Sequence, residues 1–174
     1  MFHKIVAAVD LSPVSDSIVE RALFLAKVSH AQLALFYLFS LEEESNLEAL
    51  KLNTLEECSY GQGEGMKCYR GHPTADIPSA VDSLPLNFLQ THIKHASVEH
   101  VNAEFYICVG NQAGSSICAF AQDWQADLIV LGHRGRSGLA ELLLGSVSNY
   151  VVHHAPCSVH IVNRQAKSPA ERSP

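Results

Sequence analysis

Five short apolar runs, each bounded by turn residues and most separated by helix-periodic segments, constrain this 174-residue chain more than any other feature. The first is "HKIVAAVD", His3 to Asp10. It is followed by Ser12, a helix-capping residue type, and Pro13, which suits a first helical turn. Ile18, Ala22, Leu25 and Ala26 then recur at helical spacing, which predicts a helix from Pro13 to about Ser29. "AQLALFYLF" (Ala31 to Phe39), "AEFYICVG" (Ala103 to Gly110), "ADLIVLG" (Ala126 to Gly132) and "CSVHIV" (Cys157 to Val162) are the other four runs. Gln112–Gln125 reads as a helix with Ile117, Phe120 and Ala121 on one face. Val147, Tyr150, Val151 and His154 fall at i, i+3, i+4 and i+7 before Pro156 ends that helix. Apolar strands alternating with helices imply a mostly parallel sheet covered on both faces, in one α/β domain over residues 1–163.

Residues 40–100 are expected to be a variable helical and loop region. "LEEESNLEALKL" suggests an acidic helix, "SYGQGEGMK" a loop, and residues 75–83 and 86–96 short helices among Pro73, Pro78 and Pro85. The tail, residues 164–174, is polar, bears prolines and is expected to be disordered.

The formal net charge of −6 argues against a nucleic-acid binder that works by bulk charge. No apolar run approaches the ~18 residues of a membrane span. The N-terminus reads as a strand rather than an export signal, so a cytoplasmic protein with its five cysteines reduced is the expectation.

In parallel sheets ligands bind beyond the carboxyl ends of the strands. There the sequence places "LGHRGRSGLAELLLGSVSNYVVHH", with Gly132 and Gly135 three apart and Gly145-Ser146 at the start of the last helix. Glycines let the backbone curl its N–H groups inward around an anion, and a helix N-terminus adds free N–H groups and a favourable dipole. Arg134 and Arg136 lie inside the loop, where either would neutralise phosphate charge. Glycines after a strand are also ordinary turn residues, and Ser146 is also a plain helix cap, so spacing by itself leaves both readings open.

Strand, Gly-x-x-Gly, nine residues, Gly-Ser and helix in one piece resembles the universal stress proteins, whose nucleotide-binding members carry Gly-2x-Gly-9x-Gly-(Ser/Thr). The opening "KIVAAVDLSPVSDSIVERALFLA" is similar to that family's first strand and helix. The resemblance covers about residues 2–39 and 101–163. It implies a Rossmann-like fold of five parallel strands, of the adenine nucleotide α-hydrolase-like type, a homodimer through the last strand, and ATP, AMP or ADP as ligand. Carried across by position, Ala8 and Asp10 would line the adenosine side, Leu38 would touch adenine, and Leu131 and Gly132 would approach the ribose. Gly135, Gly145, Ser146 and Val147 would hold the phosphates, with Arg134 beside them. A magnesium or manganese ion often accompanies the triphosphate in such sites. The implied role is a nucleotide-dependent signalling or stress-response module with an unidentified protein partner, and at most slow ATP hydrolysis. The alternative is a dimeric interaction module with an empty or vestigial site. An adenylate-forming enzyme would need a glycine-rich loop after the first strand, which "VDLSPVSDS" lacks.

His92, His95 and His100 cluster in sequence without a recognisable zinc pattern, and solvated surface histidines are the better reading. His133 is taken as a loop residue facing water. Cys58 and Cys68 flank the "GQGEG" segment, and two inert or exposed thiols are the default there, with a regulatory disulfide between them as the alternative.

Overall fold

The computed structural model describes residues 1–40, 55–61, 65–71, 84–133 and 145–163. In chain order its elements are β1 (Lys4–Val9), α1 (Ser15–Ser29), β2 (Gln32–Ser40), β3 (Glu56–Cys58), β4 (Lys67–Gly71) and α2 (Leu84–Val98). They continue with β5 (Ala103–Gly110), α3 (Ala113–Asp123), β6 (Leu128–Gly132), α4 (Ser146–His154) and β7 (Ser158–Val162). One mixed sheet runs β3-β4-β5-β2-β1-β6-β7. The five expected strands are mutually parallel. The chain begins in the middle of the sheet, builds outward through β2 and β5, then crosses back to β6 and β7. Strand order therefore reverses between β1 and β6, and a crevice opens there at the carboxyl ends.

Burial alternates along the central strands because successive side chains point to opposite faces. Ile5, Ala7, Leu33, Leu35, Phe105 and Ile107 face α1 and α2 and pack with Ile18, Ala22, Leu89 and Ile93. Val6, Ala8, Ala34, Phe36, Tyr106 and Ile129 face α3 and α4 and pack with Ile117, Phe120 and Val151. A sheet covered on both faces needs apolar residues at both parities, which is why these strands read as unbroken apolar runs.

The sheet has two strands more than the five expected. β3 and β4 form a hairpin that pairs antiparallel with the β5 edge. Gly61 in its turn has φ +72° and donates its N–H to Asp123 Oδ2 of α3 at 2.7 Å, which docks the hairpin tip. Strands of three and five residues with charged outward positions give too little alternation to be read locally. The expected acidic helix over 41–52 lies outside the described residues, and so do the helix at 75–83 and the tail. The helix expected at 86–96 runs Leu84–Val98, with Pro85 in its first turn, where a missing N–H costs nothing.

Two local expectations are corrected. Ser12 does not cap α1: the helix starts at Ser15 after Val14, and Ser12 Oγ is buried without a hydrogen-bond partner. The Asp10 carboxylate holds this turn instead, accepting from the Ser12 N–H at 3.0 Å and from Ser15 Oγ at 3.1 Å. Nor are Cys58 and Cys68 both free thiols. Cys68 is disulfide-bonded to Cys108, 40 residues away, because β4 and β5 bring them opposite each other.

Candidate functional site

A cavity of about 600 Å³ lies in the crevice between β1 and β6, a volume within the range of small-molecule sites. Its floor is one row of the sheet. Ala8 is the register partner of Phe36 on one side and of Leu131 on the other, and all three line the cavity. Leu38, two residues beyond Phe36, extends this wall, and Ala113 and Ile117 from the start of α3 also line the space. Gly110 lets α3 begin close to that wall, since a Cβ there would lie 3.2 Å from Ser116 Oγ and 3.4 Å from Leu38 Cδ1.

The rim is polar. Asp10 closes the end of β1, while Gly132, Gly145, Ser146, Val147 and Ser148 come from the end of β6 and the start of α4. Asn149 N–H bonds to the Gly145 carbonyl at 2.9 Å and makes the first turn of α4. The N–H groups of Ser146, Val147 and Ser148 precede that bond and have no acceptor within the helix. Ser148 Oγ donates to the Gly132 carbonyl at 2.9 Å, setting this N-terminus against the end of β6. The arrangement offers an apolar slot for a flat ring at one end and backbone donors for an anion at the other.

Of the ten residues expected at the site, Ala8, Asp10, Leu38, Leu131, Gly132, Gly145, Ser146 and Val147 line this one cavity. Arg134 and Gly135 lie outside the described residues. Sequence reasoning missed Val9, Phe36, Val14, Ile18, Ala113, Ile117 and Ser148 among the lining. Phe36 carried a usable signal, because it shares strand parity with Leu38. Ser148 had a weaker one, two residues after the glycine-serine pair.

Gly132 has a second reason to be glycine. A Cβ there would lie 2.8 Å from Val14 Cγ1 and 2.9 Å from Ile18 Cδ1. The missing side chain thus admits α1 as well as leaving the rim open. Leu11, directly after Asp10, adopts φ +59°, a left-handed turn rarely taken by such a residue, and this swings the chain off β1.

The histidines are placed elsewhere. His92 is not a solvated surface residue: its Nε2 lies 3.1 Å from Asp16 Oδ1 and its ring packs on Phe88, tying α2 to α1. His133 N–H bonds to the Val162 carbonyl at 3.0 Å. Among the described residues no three metal-ligating side chains converge, and no helix is long and apolar enough to cross a membrane.

A sequence profile described as the universal stress protein family matches residues 1–163. Universal stress protein Sll1388 of Synechocystis sp. is 31% identical over 161 residues, covering 92% of this chain and 97% of that protein. Among solved structures, a universal stress protein in complex with cAMP superposes with a TM-score of 0.62 at 24% identity, over 92% of this chain and 97% of its own. The hypothetical protein MJ0577 superposes at 0.65 with 18% identity, over 96% and 99%.

Proposed function

This chain belongs to the universal stress protein family, and we propose that it binds an adenine nucleotide, ATP foremost, in the crevice between β1 and β6. One observation carries the reading: the apolar wall of Ala8, Phe36, Leu38 and Leu131 and the N-terminus of α4 line the same cavity. The adenosine would lie over Ala8, Leu38 and Leu131, and the phosphates would meet Gly132, Gly145, Ser146 and Val147, with Arg134 and Gly135 of the sequence between them. The neighbour solved with cAMP supports an adenine nucleotide as the ligand class. The donors at the α4 end, which favour extra phosphate charge, support ATP rather than AMP or ADP.

Asp10 is the one carboxylate among the described lining residues, and its Oδ1 already accepts from Ser12 and Ser15. Magnesium or manganese is commonly held by one or two carboxylates together with substrate phosphates. This lining fits a cation carried in on the nucleotide and met by Asp10. Phosphoryl transfer also needs a residue that positions the attacking water or hydroxyl. The described lining supplies no second titratable group, which favours slow hydrolysis or none. The protein would then act through nucleotide-dependent choice of partner in the cytoplasm. The partly exposed edge strand β7, with Val159 and Ile161, supports pairing with a second copy.

Calorimetry with ATP, AMP and cAMP tests this, alongside native mass spectrometry for a co-purified nucleotide. Micromolar or tighter ATP binding is expected, and no uptake of any of the three leaves the interaction-module reading standing. Gly145→Val is the informative variant. Gly145 sits at φ −57°, ψ 159°, a conformation open to every residue type. The substitution therefore fills ligand space without straining the backbone, and should abolish binding while the protein stays folded.

A further inference from the structure

Three of the five cysteines stand in one row across the antiparallel edge of the sheet. Cys58 of β3 is opposite Cys68 of β4, and Cys68 is opposite Cys108 of β5. Directly opposed residues project to the same face, so all three lie on the side covered by α3, with Met66, Tyr106 and Phe120. Cys68 and Cys108 are joined, while Cys58 is a free, partly buried thiol.

Thiol–disulfide exchange proceeds by attack of a thiolate on one sulfur of a disulfide, in line with the bond that breaks. Opposed Cβ atoms on paired strands lie ~5 Å apart. Three successive strands thus place Cys58 beside Cys68 on the side away from Cys108, where an attacking sulfur must stand. We propose that Cys58, Cys68 and Cys108 form an intramolecular exchange relay that moves one cross-link between two places in the sheet. The Cys58 thiol loses its proton to solvent, and its thiolate attacks Cys68 Sγ. The Cys58–Cys68 bond forms as the Cys68–Cys108 bond breaks. The electron pair leaves on Cys108 Sγ, which takes up a proton. One disulfide replaces another, and no outside oxidant or reductant is consumed.

The two states differ mechanically. In the first, the hairpin is covalently tied to β5. In the second, the link lies within the hairpin, and β4 is held to β5 by hydrogen bonds and packing alone. Cys108 is the register partner of Leu38, which lines the cavity. Met66, just ahead of β4, packs at Gly110 beside the same Leu38. The relay is therefore one strand from the cavity wall.

Burial, reinforced by Glu56 and Glu57 on its own strand, pushes the Cys58 thiol above its ordinary value, against the pull of a backbone hydrogen bond at Tyr60 and of Arg70 on β4. On β5, Tyr106 and Glu104 are hydrogen-bonded to each other at 2.7 Å, and on α3 the Asp123 carboxylate is engaged by Gly61. Little thiolate forms at neutral pH, so exchange is slow there and quickens in alkali.

Disulfide mapping tests the relay. Protein treated with oxidised glutathione is desalted, held at pH 6.5 or 9.5, quenched in acid, alkylated and digested with trypsin. Cleavage after Lys67, Arg70 and Lys94 separates the three cysteines onto three peptides. A Cys58–Cys68 linkage is expected to appear about a hundred-fold or more faster at pH 9.5 than at pH 6.5, following the thiolate fraction. Cys58→Ser should retain only Cys68–Cys108. Cys68–Cys108 alone at both pH values, a dominant Cys58–Cys108 or intermolecular linkage, or three free thiols after oxidation would each overturn the proposal. The wild-type comparison decides it even if the variant folds poorly, and no nucleotide enters the assay.

Discussion

Ser148 and Gly132 are joined by a 2.9 Å hydrogen bond, hydroxyl to carbonyl, that fastens the first turn of α4 to the last residue of β6. The two ends of the glycine-rich segment, Gly132 and the first turn of α4, are thereby held together. Ser148 is 3% exposed.

Ser148→Ala should therefore lower stability by about 1 kcal/mol, since it removes a part-buried hydrogen bond. It should also weaken ATP binding roughly five- to ten-fold as the α4 N-terminus loses its placement, about 1–1.4 kcal/mol. Urea unfolding and calorimetry read the two effects separately. Unchanged affinity would show that the helix end does not hold the phosphates.

Gly132→Ala should destabilise the protein by about 1–3 kcal/mol, because the new Cβ overlaps Val14 and Ile18. The same substitution combined with Val14→Ala should recover part of that loss. A double-mutant cycle in urea measures the coupling. Strict additivity would mean that α1 does not press on this residue.

Ala113→Leu should act on the ligand rather than on the fold. Ala113 is partly exposed at the first turn of α3 and faces the cavity. Added carbons there narrow the slot beside Leu38. AMP and ATP should lose affinity by the same factor, about ten-fold or more, with stability changed by less than about 0.5 kcal/mol. A loss confined to ATP would place the phosphates, not the base, at α3.

Asp127 accepts the N–H groups of His3 at 2.6 Å and Lys4 at 2.8 Å, which clamps the start of β1. The His3 backbone bond is the largest cause of its carboxyl sitting below the ordinary value of 3.8, with Lys4 adding to it. A depressed folded pKa stabilises the fold above that ordinary value, and the stability is lost as pH falls through the folded one. Asp127→Asn should cost about 1 kcal/mol near neutrality, discounted because the group is largely solvated. The gap to wild type should close below pH 3.8. Urea midpoints measured from pH 7 to pH 3 check this.

The parallel strands were readable because burial on two faces demands runs such as "KIVAAV" and "LIVLG", and no local alternative competes for them. Gly145-Ser146 was readable because it stands where apolar periodicity changes from strand to helix. The hairpin was not readable. Glu56–Cys58 has three residues, two of them charged, and becomes a strand only because β5 offers an edge. Cys68–Cys108 was hidden for the same reason, since nothing near either cysteine indicates the register that opposes them. Ile117 enters the cavity through the facing of helix and sheet, which helical periodicity alone does not orient.

By itself the sequence determined the α/β alternation, the covered sheet, and the glycine-serine segment at a strand's carboxyl end, because these depend on contacts between residues near in the chain. Only the tertiary structure decided that β1 and β6 are neighbours with a cavity between them, that Gly132 makes room for α1, and that three cysteines share one row. Those features come from pairings across 40 to more than 100 residues, and their energy exists only once the whole sheet has assembled.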